Sequence, residues 1–269
     1  MTPPEPLKPW MRKRIREAAT EPSEIEVLAA LVRTAREHDA FVDTEFEMGD
    51  TIVTRQKGRT VHFPRPLHKE NHRTILRGYL EGLHGKYQIE GFCEVAEGDV
   101  VVDCGAYVGG FARSVVEIAS RVVLIEPAPA NYECCLSNLK GFDTAEVHQM
   151  GLFNTTGTLP LQLSNRCVDH SLLAPDRGAT GESVEVPIMR LEDLAAKLDL
   201  NHIDFLKLEA EGAEIEVIDG MGAMRPSKIS IDAGPERYGE SPMEELQEML
   251  RTRGYEVQAR GNTLCAVTA

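Results

Sequence analysis

The sequence predicts an α/β chain: a mostly parallel sheet with helices on both faces and one antiparallel edge strand, preceded by an N-terminal α+β appendage. Three observations predict it. The stretch Gly98–Pro127 reads as an apolar β-branched strand, a glycine turn, an amphipathic helix and a second apolar strand closed by Glu126. Beyond it, apolar runs alternate with helical periodicities as far as Arg253. The chain then carries two extended runs joined by Gly261-Asn262, a hairpin signal that large parallel sheets accept at one edge.

The elements follow in order. Residues 1–9 contain four prolines and read as extended. Ile15, Ile25, Leu28, Leu31 and Val32 fall near helical spacing, with a break between two helices at Glu21-Pro22. Short β-like runs at 51–54 and 60–63 flank the turn Lys57-Gly58, and His68–Leu83 reads as one helix ending near Gly85. Residues 1–95 are therefore assigned to an appendage that caps the cofactor edge, and residues 96–269 to the main domain. Within the latter, Asn131–Leu139 is a helix and Glu146–Phe153 a third strand. Thr158–Leu163 and Ser183–Leu191 are extended runs around a polar loop at 164–181. Leu191–Leu198 is a short helix, Ile203–Leu208 a fourth buried strand, and Ile215, Val217 and Ile218 begin the next helix. Lys228–Asp232 is a fifth strand and Pro242–Arg253 a helix. Tyr255–Gln258 and Leu264–Val267 form the terminal pair.

Composition narrows the function classes. With 269 residues, 42% hydrophobic and 27% charged, the chain has the makings of a globular α/β protein. A formal net charge of -14 argues against a nucleic-acid or anionic-membrane partner, because phosphate surfaces demand clustered Lys and Arg. The basic run Lys8–Arg16 reads as a solvated helix face. Six cysteines without a CxxC pair read as reduced thiols, and no signal-peptide or membrane-length apolar run is present, so the expectation is a cytoplasmic protein. His62, His68, His72 and His84 form a loose scatter with no readable third metal ligand.

Glycines at the end of a buried strand let the backbone approach a ligand, and an acid at the tip of the next strand is placed to receive a ribose diol. The stretch therefore predicts a nucleoside-containing cofactor. Two classes remain open. A dinucleotide site expects GxGxxG so that a pyrophosphate meets the helix N-terminus, but the middle glycine is missing between Gly105 and Gly109. Asp103 on the strand would repel a pyrophosphate, whereas it suits the cationic end of S-adenosylmethionine.

Several blocks resemble the FkbM-type methyltransferases, a family within the class I S-adenosylmethionine-dependent methyltransferases. They are VVVDCGAYVGGF at 100–111, VLIEPAPANYECCLSNL at 123–139, GLFNTTGTL at 151–159, VEVPIMRLEDL at 184–194 and IDFLKLEAEGAEIEVIDG at 203–220. The resemblance implies a Rossmann-like class I methyltransferase fold with a seven-stranded sheet. It also implies methyl transfer to an oxygen of a small molecule such as a sugar, a glycosylated metabolite or a polyketide-like acceptor. By the same resemblance, Asp103, Gly105, Ala106 and Gly109 wall the methionine part of the cofactor. Glu126 holds the ribose with Pro127 and Asn131 beside the adenosine, and Gly151 and Leu152 flank the adenine. Glu209 and Glu211 face the transferred methyl and the acceptor. The chain departs from the resembled pattern at Tyr107, where the family commonly has Asn, and at Glu209, where it commonly has Asp. Two rival expectations stand beside this one: a nicotinamide-dependent oxidoreductase, and a non-catalytic cofactor-binding protein of the same fold.

Methyl transfer from a sulfonium needs positioning, and a base where the acceptor is a neutral hydroxyl. Candidate bases are His170 in the polar loop, Glu209, Glu211 and Asp232. Glu211 has the alternative of fixing its turn by accepting backbone amides. Glu209 and Asp232 with a nearby amide offer a conceivable Mg²⁺ site that the sequence does not itself support.

Overall fold

The structure is a computed structural model and describes residues 44–65, 67 and 69–268. The expected helices between 10 and 38 and the extended segment at 1–9 lie outside the described residues, as do His68 and the side chain of His72. Valine and isoleucine runs bury on both sides and pair as a central sheet. Its strands are β4 (Val100–Cys104), β5 (Arg121–Ile125), β6 (Ala145–His148), β10 (Phe205–Leu208), β11 (Lys228–Asp232), β12 (Tyr255–Arg260) and β13 (Thr263–Thr268). Their order is β12-β13-β11-β10-β4-β5-β6. All neighbouring pairs are parallel except those made by β13, which runs antiparallel to β11 and to the outermost β12. This is the Rossmann-like arrangement of class I methyltransferases. Its strand order reverses between β4 and β10, and ligands of such sheets lie in the crevice beyond the carboxyl ends at that switch point.

Side chains alternate between two apolar layers. Val102, Val123 and Leu206 pack with helices α5 (Leu191–Lys197), α6 (Glu214–Asp219) and α7 (Met243–Thr252) on one face. Val101, Leu124 and Phe205 pack on the other with α3 (Gly110–Val115) and with Cys135 and Leu139 at the end of α4 (Pro129–Asn138). Cys134, next along α4, is also buried, and all six cysteines are unpaired thiols.

Two expectations are corrected. The single third strand expected at Glu146–Phe153 is two strands: β6 ends at His148, and after a turn β7 (Gly151–Leu152) joins a second sheet with β9 (Ala179–Met189) and β8 (Gly157–Ser164). The Met150 N–H folds back to the carbonyl of His148 at 3.0 Å, which turns the chain out of the central sheet. The single helix expected at His68–Leu83 is α1 (Lys69–Leu76) and α2 (Tyr79–Lys86), divided at Gly78, whose left-handed φ of 96° no helix accommodates. Before them, β1 (Glu45–Met48), β2 (Ile52–Gln56) and β3 (Arg59–Phe63) form an antiparallel sheet, with the expected turn at Lys57-Gly58. Leu83 and Tyr79 of α2 lie so close to Gly110 that a Cβ there would meet them at 2.5 Å, which seats α2 against the start of α3.

Gly105, besides lining the cavity, has a purpose in packing. Its φ is +68°, and a Cβ would fall 1.6 Å from the Glu209 carbonyl oxygen. The glycine lets the turns after β4 and β10 meet. Gly105→Ala is expected to lower stability by roughly 4 kcal/mol or more, combining a left-handed backbone with a backbone collision. Urea unfolding measures it; a loss under about 1 kcal/mol contradicts the close approach.

Candidate active site

Beyond the carboxyl ends of β4, β5, β10 and β11 lies a cavity of about 460 Å³. It is walled by the turns after those strands, by α1 and α2, and by the 165–178 connection between β8 and β9. Every site residue expected from the sequence lines it except Asp103 and Gly109. Those two sit behind the wall. A Cβ on Gly109 would meet Leu139 and Leu124, so this glycine serves packing between α3, α4 and β5. Asp103 is 0% exposed and belongs to the interior.

The reason for Asp103's withdrawal is Lys207, which sequence reasoning missed. In the β4–β10 register Lys207 stands opposite Asp103, on the same face. Its Nζ lies 3.1 Å from Asp103 Oδ1 and 3.5 Å from Glu209 Oε2, and donates to the Gly105 carbonyl at 2.6 Å. The other Asp103 oxygen accepts the Ala112 N–H at 3.1 Å. At 2% exposure Lys207 is a desolvated ammonium, which burial alone would discharge; Asp103 and Glu209 raise its pKa instead. A lysine inside an apolar strand was the available signal, since such a residue needs an anion beside it.

The corner at the tip of β5 is built from backbone amides. The Gly105 and Ala106 N–H groups both donate to the Ile125 carbonyl, fastening the β4 turn to β5. Tyr107 follows with φ 55°, and its N–H donates to Glu126 Oε2 at 2.8 Å. The left-handed conformation suits an amide residue better than an aromatic one. The Tyr107 ring packs toward the apolar cluster of β2, β3 and α2, with Asn71 Nδ2 donating to its hydroxyl at 3.4 Å. Glu126 Oε1 accepts the Ala128 N–H at 2.9 Å and Asn131 Nδ2 at 3.4 Å. Asn131 also donates to the Cys167 carbonyl at 2.8 Å, tying down the overhanging loop, and its buried Oδ1 has no partner among the described residues. Burial raises the Glu126 pKa to about 7 against the pull of these amides.

The opposite corner is acidic and is reached from the appendage. Lys86 of α2 places its Nζ 2.8 Å from Glu209 Oε1 and 2.7 Å from Asp232 Oδ2. The space considered for Mg²⁺ is thus held by an ammonium. Tyr87 donates to Glu209 Oε2 at 2.5 Å. Burial would raise the Glu209 pKa, but Lys86 and Lys207 hold it well below the carboxylate range. Asp232 is shifted up by burial and by Glu209, partly offset by Lys86, and its Oδ1 accepts the Gly234 N–H at 3.2 Å. The turn-fixing role considered for Glu211 belongs to Glu214, whose Oε1 accepts the Ala210 N–H at 2.7 Å and the Gly212 N–H at 3.3 Å. Glu211 itself is left-handed, φ 47°, with its carboxyl pKa raised by burial and by Glu236. Glu236, unflagged by the sequence, has its pKa raised to about 8 by burial and then by Asp232. His170 accepts the Ser164 N–H on Nδ1 at 3.0 Å, and burial lowers its pKa.

The Methyltransferase FkbM domain matches residues 103–257. The chain belongs to the FkbM methyltransferase family. It is 28% identical over 154 residues to methyltransferase sdnD of Sordaria araneosa, covering 45% of this chain and 60% of that protein. It is 26% identical over 167 residues to Methyltransferase 1 of Beauveria bassiana, covering 53% and 67%. The chain thus spans about two thirds or less of the curated relatives it matches. The crystal structure of methyltransferase FkbM from Methylobacillus flagellatus KT aligns over 96% of this chain and 58% of that one, at 14% identity and a TM-score of 0.48. Both Lys86 and Tyr87 fall before the segment that the family domain matches.

The buried acids set a pH dependence. An acid whose pKa is higher folded than unfolded keeps its proton in the folded state, so stability falls as pH rises from its unfolded to its folded value. For Glu126 and Glu214 that window runs from 4.5 to about 7, and for Glu236 from 4.5 to about 8. His62 and His170, whose pKa values are lowered, act in the opposite sense near pH 6.5 and fade above it as the unfolded chain's histidines lose their protons, while the acids continue to act. Melting temperature is expected to fall between about pH 6.5 and 8, and less steeply in Glu126→Gln and Glu236→Gln. Calorimetric scans showing a flat or rising profile would refute this ionisation scheme.

Proposed function

We propose that this chain is an S-adenosylmethionine-dependent methyltransferase that methylates a hydroxyl of a small molecule, such as a sugar, a glycosylated metabolite or a polyketide-like acceptor. The observation that carries the reading is Glu126. Its carboxylate stands at the tip of β5 on the cavity wall, 5% exposed, oriented by two backbone amides and beside the unpartnered Asn131 Oδ1. A carboxylate and an amide oxygen in that corner fit a diol. Family membership favours this reading over a nicotinamide-dependent oxidoreductase.

When bound, the cofactor supplies an electrophilic methyl group on sulfur. The chain's own part is to hold, orient and exclude water. Glu126 and Asn131 take the ribose, Pro127, Gly151 and Leu152 flank the base, and the 165–178 connection covers them. Tyr79, Leu83 and Phe111 supply apolar wall on the appendage side. Among the four bases expected, Glu209 and Asp232 are engaged by Lys86. His170, with Nδ1 accepting an amide, carries its proton on Nε2 and is a donor. Glu211 keeps a free carboxyl and is assigned to receive the acceptor's proton. The assignment of residues 1–95 to a cap over the site is supported, for its described part, by the place of α1 and α2 in the wall. A small acceptor is favoured over a nucleic acid by the net charge of -14, and a cytoplasmic setting by six unpaired thiols. Among the described residues no helix is long and apolar enough to cross a membrane.

Isothermal titration calorimetry with S-adenosylmethionine and S-adenosylhomocysteine is expected to show one site for each. Glu126→Ala is expected to weaken both about a hundredfold, the loss of two hydrogen bonds to a charged acceptor. No heat with either ligand on folded protein rules the reading out.

A further inference from the structure

We infer that Glu211 and Glu236 form the subsite for the sulfonium of the cofactor, so that the site distinguishes it from the neutral thioether left after transfer. The inference rests on the S-adenosylmethionine reading above and names the residues that would read its charge. A cation leaving water for the cavity wall needs an anion beside it. The acid that the sequence places at the cofactor's cationic amino-acid end, Asp103, is off the wall and neutralised by Lys207 at 3.1 Å.

The other acids on the wall can be taken one by one. Glu126 is committed to the Tyr107 and Ala128 amides. Asp169 pairs with Arg166 at 2.9 Å and Asp176 with Arg177 at 3.3 Å. Glu209 and Asp232 share the ammonium of Lys86. Two acids are left. Among the described residues the Glu211 carboxyl has no hydrogen bond or ion pair, and Glu236 Oε2 is enclosed with no hydrogen-bond partner.

Their placement is built. Gly212, φ +97°, would bring a Cβ within 2.8 Å of the Glu236 carbonyl oxygen, so the turns after β10 and β11 are in contact. Arg237 locks them: Nη1 donates to the Gly212 carbonyl at 2.7 Å, and both Nη atoms meet the Glu216 carboxylate at 2.8 Å. Ser171 Oγ donates to the Glu211 carbonyl at 2.7 Å, holding that residue in its left-handed conformation from the loop above. Two acids fixed in one wall, with pKa values raised by burial and by neighbouring carboxylates, are relieved only by a proton or a cation.

The test is calorimetric and needs no acceptor. S-adenosylmethionine and S-adenosylhomocysteine are titrated into wild type, Glu211→Gln, Glu236→Gln and Asp176→Asn, the last removing a wall acid already paired. Circular dichroism melts establish that each variant is folded. Wild type and Asp176→Asn are expected to share one ratio of the two affinities. Each Gln variant is expected to lose about tenfold in affinity for S-adenosylmethionine while S-adenosylhomocysteine changes less than about twofold. Glu236→Gln, on an irregular turn, carries the test if Glu211→Gln fails to fold. Parallel loss of both ligands, or no change in either, overturns the charge-reading role and leaves the cofactor reading standing. Absence of binding by wild type fells that reading, and this inference with it.

Discussion

The arrangement depends on the ion pair between Lys207 and Asp103, side by side on adjacent parallel strands at the switch point of the sheet. A buried ion pair is weak evidence for stability, because desolvation offsets attraction. Its consequence is geometric. The ammonium has hydrogen bonds left over, and it directs them to the Gly105 carbonyl and toward Glu209, joining the two turns that make the cavity floor. Replace either charge alone and the other is stranded in the interior.

From that floor the site divides its charges between two corners. At the tip of β5 the anion is solvated by amides of its own chain, a neutral cradle, while burial brings the Glu126 pKa to about 7. On the other side carboxylates crowd at the ends of β10 and β11, where the α2 ammonium quiets Glu209 and Asp232 and Lys207 also reaches Glu209. The uneven quieting gives the acids of one wall different protonation behaviour, the usual way a site assigns different tasks to chemically identical groups.

The sheet was legible because its strands obey local rules. Val100–Val102, Ile203–Leu208 and Lys228–Asp232 are apolar runs buried on both faces, and they fall within a residue or two of where the pattern puts them. Pattern failed where the chain changes partners without changing composition. Val147 and Leu152 look like one strand, and a fold-back at Met150 sends them to different sheets. Gly78 splits a continuous helical periodicity through its backbone angle, which hydropathy does not record. In the site, strand-end positions named the wall but not the pairing. That Asp103 faces inward follows from Lys207 in a strand distant in sequence, and that Glu209 and Asp232 are engaged follows from Lys86 in another element altogether. Long-range ion pairs leave no local signature, and Glu236 sits on an irregular turn where no periodicity singles it out.

The reach of Lys86 and Tyr87 into the site has a bearing on how such chains diversify. The segment shared with the family, residues 103–257, contains the carboxylates and Lys207 but neither the Lys86 ammonium nor the Tyr87 phenol that also engage Glu209. In this chain part of that segment's charge balance is furnished by a neighbouring piece of chain. A chimera that kept the sheet and exchanged the helix before it would inherit the same acids with a different number of them silenced.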